Sequence, residues 1–286
     1  MKKQVLVNID PFDIKDNTVR FAVGIARKLD LPLLLYSVYN YPVMPVAPEM
    51  GARPVASSKL LDRWLKEIEI RGKAYCDEIK AIYPNTRFEC EAGMLADQLV
   101  DKTERLQESA SKHSPLLLIS PKTNAHNWWN DIIGTAETAI AAQVPCPVLF
   151  VPENARYSGI SRIMYLADLV DQDGKKTPGY HFLKSFARSF SAALVVAFLA
   201  NVVESESQSD VGAIIERMKR SLPFEVQQEF RFMPGLAPKD ILEIAELSHT
   251  DILAFPFRET SVFERFFSNE VTRTLLLKTE TPVLVF

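Results

Sequence analysis

Two stretches of this chain, PCPVLFVP at 145–152 and TPVLVF at 281–286, resemble each other closely. Each follows a second matching segment, which is LLLISP at 116–121 in the first case and DILAFP at 251–256 in the second. All of these matches share one spacing of 135 residues, with no gap between them. Matching segments at a constant spacing indicate an internal repeat, so the chain is predicted to contain two copies of one structural unit.

The repeat extends towards the start of each copy. VLVNID at 5–10 resembles IMYLAD at 163–168, and Gly93 has its counterpart in Gly235. The first copy is longer because it contains extra residues in a proline-rich loop at 41–58. The two copies therefore differ mainly in the length of this loop.

A polar segment separates the two copies. Residues 153–159 lie between the end of one apolar run and the start of the next, and they include the Asn, Ser and Gly residues that are typical of connections. We therefore predict two domains, at 1–152 and 160–286, joined by a linker at 153–159.

Short apolar runs alternate with amphipathic stretches in both copies. The runs are mostly continuous, as in strands that are buried on both faces, and strands separated by helices form right-handed crossovers and a parallel sheet. The predicted fold is α/β, with two tandem doubly wound domains, each a five-stranded parallel sheet with helices on both faces. The predicted strands are 5–9, 33–38, 88–92, 116–120 and 148–151 in the first copy, and 163–167, 194–199, 225–232, 252–255 and 283–286 in the second.

The composition excludes several classes of protein. A net charge of -3 over 286 residues does not suggest a nucleic-acid or anionic-membrane surface, and no apolar run approaches the roughly 20 residues of a membrane span. The three cysteines are odd in number and widely spaced, which argues against a disulfide framework and a zinc site. We therefore expect a cytoplasmic protein that binds neither nucleic acid nor membrane.

The order of these motifs resembles that of the universal stress protein family. The shared marks are an apolar first strand that ends on Asp10 or Asp168, a Gly134-Thr135 pair, and the final strand that opens with PCPVLFV. The resemblance covers essentially the whole chain, once in each copy. It implies a Rossmann-like fold similar to that of the adenine-nucleotide α-hydrolases. In the branch of the family that binds ATP, it also implies a Gly-x2-Gly-x9-Gly-Ser/Thr loop after the fourth strand.

The first copy keeps only part of that loop. Counting back from Gly134 places Pro121 and Asn124 on the first two glycine positions, whereas Gly134 and Thr135 match the end of the motif. Proline has no N–H to donate to a phosphate, but asparagine can adopt the left-handed conformation and threonine keeps the hydroxyl. Weak binding of ATP or AMP in the first domain therefore stays an open alternative.

The second copy has lost the loop altogether. Its corresponding positions hold Pro256, Glu259 and Asn269, and Glu270 replaces the hydroxyl residue. Two carboxylates would repel a phosphate. The chain has 10 glycines against an average usage of roughly 7%, and this shortage falls largely on the one loop. We expect no intact nucleotide cofactor site in the second domain.

Asp10 and Asp168 allow two interpretations. Both close a first strand, and ligands of open α/β sheets bind at this carboxyl edge, so either residue could contact a ligand. Alternatively, an aspartate in this place accepts backbone N–H bonds and acts as a cap. Both interpretations stay open for Asp10, whereas the cap is favoured for Asp168.

No motif pairs a nucleophile with a base, so we expect binding rather than turnover and assign no catalytic residue. The predicted function is that of a stress-response module that binds a protein partner or a small ligand. The alternative is an ATP- or AMP-binding switch, or a weak ATPase, that uses the first domain only. The terminal strands at 148–151 and 283–286 are candidate edges for a contact between the two halves, as in a pseudo-dimer, or for a homodimer.

Overall fold

A computed structural model of the chain describes residues 2–39, 58–108, 113–122, 140–141, 143–168, 178–200, 228–234, 238–255 and 279–286. The described strands are β1 (Lys2–Asn8), β2 (Leu33–Tyr39), β3 (Thr86–Ala92), β4 (His113–Pro121), β5 (Val148–Val151), β6 (Arg162–Asp168), β7 (Ala193–Ala200), β8 (Gln228–Pro234), β9 (Ile252–Phe255) and β10 (Val283–Val285). The longer described helices are α1 (Asp16–Leu29), α2 (Ser58–Ile82), α3 (Leu95–Glu108), α4 (Pro178–Phe190) and α5 (Pro238–Leu247).

The strands form one sheet with the order β3-β2-β1-β4-β5-β10-β9-β6-β7-β8. Every neighbouring pair is parallel except β5 and β10, which are antiparallel. The predicted α/β fold class with parallel strands is therefore confirmed. The two five-stranded sheets expected from the sequence are joined edge to edge, so one sheet of ten strands crosses both halves of the chain.

The pairing registers repeat between the two halves. Leu118 pairs with Val148 in the first half, and Leu253 pairs with Val283 in the second. These residues are separated by the same 135 positions that relate the sequence segments. The matching extends to the early strands, where Val5 pairs with Leu33 and Ile163 pairs with Leu194. Residues that correspond in sequence thus occupy corresponding places in the sheet.

The junction of the halves is the antiparallel pair of β5 and β10. Leu149 pairs with Leu284, and Phe150 pairs with Val283. Leu149 and Leu284, which stand at corresponding positions of the two sequence copies, face each other in this pair. The sequence indicated these two strands as candidate edges. In the structure β5 lies between β4 and β10, and β10 lies between β5 and β9, so neither strand presents a free edge.

Helices cover both faces of the sheet. One buried cluster includes residues of α1, α2 and α4, and the other includes residues of α3 and α5. The apolar residues of α1 recur at helical spacing and face the first cluster, where Val19, Ala22 and Ala26 are fully buried. This two-sided burial explains why the strand runs are continuously apolar.

The segment predicted as a linker packs against α1. Lys15 binds the carboxylate of Glu153 at 3.2 Å, and the ring of Tyr157 meets Phe21 edge-on with 5.1 Å between ring centroids. The same tyrosine lies over Gly24, where a Cβ would stand 2.3 Å from its ring. The division into domains remains a prediction, but residues 153–159 make firm contacts with the first half.

Candidate functional site

The first half has its topological switch point between β1 and β4. β1 is flanked by β2 on one side and β4 on the other, and Val7 pairs with Ile119 across the switch. In open α/β sheets, ligands bind in the crevice outside the carboxyl ends of the strands at this point. We call this place the first-half crevice. Asp10 follows β1 there and Lys122 follows β4.

Asp10 lies exposed at the mouth of the crevice. Its Oδ1 accepts the backbone N–H of Phe12 at 2.9 Å, and its carbonyl accepts the N–H of Asp13 at 3.1 Å. The side chain therefore caps its own turn, in the manner of an Asx turn. It does not cap α1, which begins at Asp16 and has no side-chain cap bond at Lys15. Its exposure leaves the ligand-contact interpretation available as well.

Asp168 has a different setting in the second half. It is the last residue of β6 and pairs with Leu199 of β7, so the strand continues up to this aspartate. β1, in contrast, ends at Asn8 because the chain turns at Asp10. The two aspartates thus correspond in sequence but not in local backbone structure.

The first polar groups after β4 are engaged within the chain. Pro121 has no N–H, and the N–H of Lys122 donates to the carbonyl of Val151 at 2.8 Å. The ammonium of Lys122 donates to the carbonyl of Thr279 at 2.6 Å. Because the Lys122 amide already donates to Val151, it does not offer its N–H to a phosphate at this position.

Three predicted site residues lie outside the described part of the chain: Asn124, Gly134 and Thr135. The corresponding loop of the second half, from Pro256 to Glu270 in sequence, also lies outside it. Asp10 and Lys122 follow two neighbouring strands, β1 and β4, at the same edge of the sheet.

An aromatic cluster adjoins Asp10. Trp64 of α2 stacks against Phe12 with 6.3 Å between centroids, and it meets Tyr39 at the end of β2 edge-on at 5.5 Å. The guanidinium of Arg71 lies 5.0 Å from the centroid of Phe12. Phe12 remains 45% exposed. Neither Trp64 nor Phe12 was singled out from the sequence, and for Phe12 the one available signal was its position just after Asp10.

A second polar cluster lies on β3 and α3, away from the crevice. Lys102 is buried and binds Glu89 and, at 3.2 Å, Glu91, while Arg105 binds Glu91 at 2.5 Å. The Lys102 ammonium also lies 5.3 Å from the ring centroid of Tyr36, whose pKa is raised by burial. Because cations and carboxylates satisfy one another, this cluster stabilises the edge of the sheet and is not a site for an anionic ligand.

This cluster predicts a specific acid sensitivity. Burial raises the pKa of Glu91, but hydrogen bonds from Arg105 and Lys102 outweigh burial, so the pKa lies below its usual value of 4.5. A carboxylate with a lowered pKa stabilises the fold above its unfolded pKa, and this contribution is lost as the pH falls through the folded value. We expect the free energy of unfolding of the Glu91→Gln variant to fall less steeply than that of the wild type as the pH drops below about 4.5.

Urea denaturation between pH 3 and pH 7 checks this expectation. Glu67→Gln is the matched control, because it removes a carboxylate that binds Arg71 on the exposed surface of α2. The prediction is wrong if the two variants change the acid limb of the stability profile equally.

Metal ligation and membrane crossing find no support among the described residues. In that part of the chain, no group of three or more His, Cys, Asp or Glu side chains is placed to hold a metal ion. Of the helices described, none combines the length and the apolar character that crossing a membrane requires.

No protein-family model matches the sequence, and no curated protein is similar to it. The similarity lies in the structure. A universal stress protein from Archaeoglobus fulgidus DSM 4304 superposes with a TM-score of 0.69 at 12% sequence identity, over 98% of this chain and 95% of that chain. This chain has the fold of a universal stress protein.

A second structure shares the architecture. A functionally unknown protein from Pseudomonas aeruginosa PAO1 superposes with a TM-score of 0.59 at 16% identity, over 100% of this chain and 92% of that chain. Both similarities extend over nearly the full length of each chain, so they include both halves of the sheet. At these identities the likeness is one of fold.

Proposed function

We propose that this chain is a non-catalytic, universal-stress-type binding module in which the nucleotide site has degenerated. The observation that supports the proposal is found where β4 ends: Pro121, its last residue, offers no donor, and both the amide and the ammonium of Lys122 are bonded within the chain. Glycine loops hold phosphates through free backbone amides, and the segment after β4 begins without one.

The proposed ligand position is the first-half crevice. Asp10 is an exposed hydrogen-bond acceptor there, and half-exposed Phe12 adds an apolar ring beside it. A carboxylate next to an aromatic ring, with the Arg71 guanidinium already over that ring, suits an uncharged ligand with a flat apolar part better than it suits a triphosphate. The physiological ligand would be a small molecule of this kind or a segment of a protein partner.

Isothermal titration calorimetry of the full chain with ATP and with AMP tests the proposal. We expect no saturable heat at millimolar nucleotide, because Pro121 and Asn124 replace two of the loop's three glycines in the first copy and none of the three is kept in the second. Native mass spectrometry of the purified chain tests independently whether a small molecule accompanies it. Saturable micromolar binding of ATP would overturn the proposal.

The alternative function is a nucleotide-binding switch, or a weak ATPase, that uses the first half only. Asp10 supports it, because this carboxylate stands exposed at the switch point of that half. In this case nucleotide binding should be abolished by Thr135→Glu, which introduces at the end of the loop the residue type that the second copy carries at Glu270. Binding that survives Thr135→Glu would exclude the family's mode of phosphate contact.

A further inference from the structure

The segment before β10 crosses from the second half onto the first. β5 and β10 are antiparallel, and Val283 at the start of β10 pairs with Phe150 near the end of β5. Residues 279–282 therefore extend past the carboxyl end of β5, towards the edge where β4 ends. This is the same edge on which the first-half crevice opens.

Lys122 makes the contact between this segment and the first half. Its side chain is buried, with 7% of the residue exposed, and its ammonium lies 2.6 Å from the carbonyl oxygen of Thr279. Thr279 is also buried, and its Oγ1 accepts the N–H of Thr281 at 3.0 Å. That local turn fixes the direction of the carbonyl, so the ammonium meets an acceptor that is already oriented.

The second half cannot form the equivalent bond. The residue that corresponds to Lys122, 135 positions later, is Phe257, and the residue that corresponds to Thr279 is Val144. Phenylalanine has no donor for a carbonyl. The bond between Lys122 and Thr279 therefore has no counterpart at the corresponding sequence positions of the second half.

We propose that Lys122 is a positioning residue that fastens the segment at 279–282 of the second half onto the carboxyl edge of the first half. The first-half crevice is then completed by both halves of the chain. The inference rests on the geometry of the junction and does not require that the crevice bind any particular ligand.

Hydrogen–deuterium exchange of the full chain with Lys122→Met tests the proposal. Losing the donor leaves a buried carbonyl without its partner, which should accelerate amide exchange at 279–282 by about tenfold or more. Exchange in α2 should stay unchanged. Lys122→Arg keeps a cationic donor and should retain much of the protection. Lys80→Met, which removes an exposed lysine paired with Asp77, is the control and should alter neither region.

The outcomes are distinct. Unchanged exchange at 279–282 in Lys122→Met would overturn the proposal, and so would an equal acceleration throughout the chain, because that pattern means general destabilisation. If the variant does not fold, acetylation of the native wild-type chain gives a second test. Lys122 should react at least about a hundredfold more slowly than Lys80, because its amine is buried and bonded. Equal reactivity of the two lysines would also overturn the proposal.

Discussion

Gly24→Ala is expected to destabilise the protein by about 2 kcal/mol, although alanine is the better helix former. In the middle of α1, this change should stabilise an unhindered helix by about 1 kcal/mol. Here the new Cβ would lie 2.3 Å from the ring of Tyr157, which also packs against Phe21. The ring must move and lose its contact with α1, and overpacking of this kind costs about 1–3 kcal/mol or more.

A double-mutant cycle decides whether Tyr157 is the cause. In a Tyr157→Ala background the obstacle is absent, so Gly24→Ala should stabilise the chain by about 1 kcal/mol through helix propensity alone. The effect of one substitution thus changes sign with the residue at 157. Urea denaturation of the four proteins measures it, and a stabilising Gly24→Ala in the wild-type background would contradict the close packing of 153–159 on α1.

The sheet was largely predictable because its strands are buried on both faces. Continuous apolar runs such as 33–38 and 194–199 have few alternative structures, and the constant offset between copies is enough to assign Leu118 and Leu253 to equivalent positions. The predicted strand at 225–232 overlaps β8, which spans Gln228–Pro234, and residues 225–227 lie outside the described part of the chain. Among the described strands, β8 stands at one end of the sheet beside β7.

The contacts between halves were not predictable from the sequence. The polar composition of 153–159 is typical of a loose connection, yet Tyr157 packs over Gly24. Likewise, Lys122 is a residue type that is mostly exposed, and its burial depends on the carbonyl of Thr279, far away in sequence. Such contacts depend on tertiary geometry and leave no periodic pattern.

The place of Asp10 at the carboxyl edge of the sheet was predictable from the sequence, but its contacts there were not. The carboxyl edge follows from strand order, and Asp10 lies on it. Two contacts depend on how the turn after β1 packs against α2. The N–H of Phe12 donates to Oδ1 of Asp10, and Trp64 of the distant helix α2 stacks on Phe12. A sequence pattern identifies which strands end at the edge but does not show which side chains meet there.

Asp251→Ala should remove the contact that joins β9 to the start of β6, at a cost of about 2 kcal/mol. One carboxylate oxygen, Oδ2, accepts three hydrogen bonds: from the N–H of Ser161 at 2.7 Å, from its hydroxyl at 2.8 Å and from the N–H of Arg162 at 2.9 Å. Hydrogen bonds to an ionised acceptor are about twice as strong as neutral ones. Water can reach exposed Ser161 in the variant, which keeps the expected loss below the sum of three such bonds.

A graded series of variants tests this assignment by chemical denaturation. Asp251→Asn keeps an oxygen acceptor without its charge and should lose about half as much stability as Asp251→Ala, whereas Ser161→Ala removes one donor and should cost about 0.5–1 kcal/mol. Asp77→Ala on exposed α2 is the control, expected to change stability by less than about 0.5 kcal/mol. The first copy has Leu116 at the position of Asp251, so this bond set belongs to the second half alone. If Asp251→Ala cost no more than Asp77→Ala, the start of β6 would have to be held by its apolar strand contacts and not by this carboxylate.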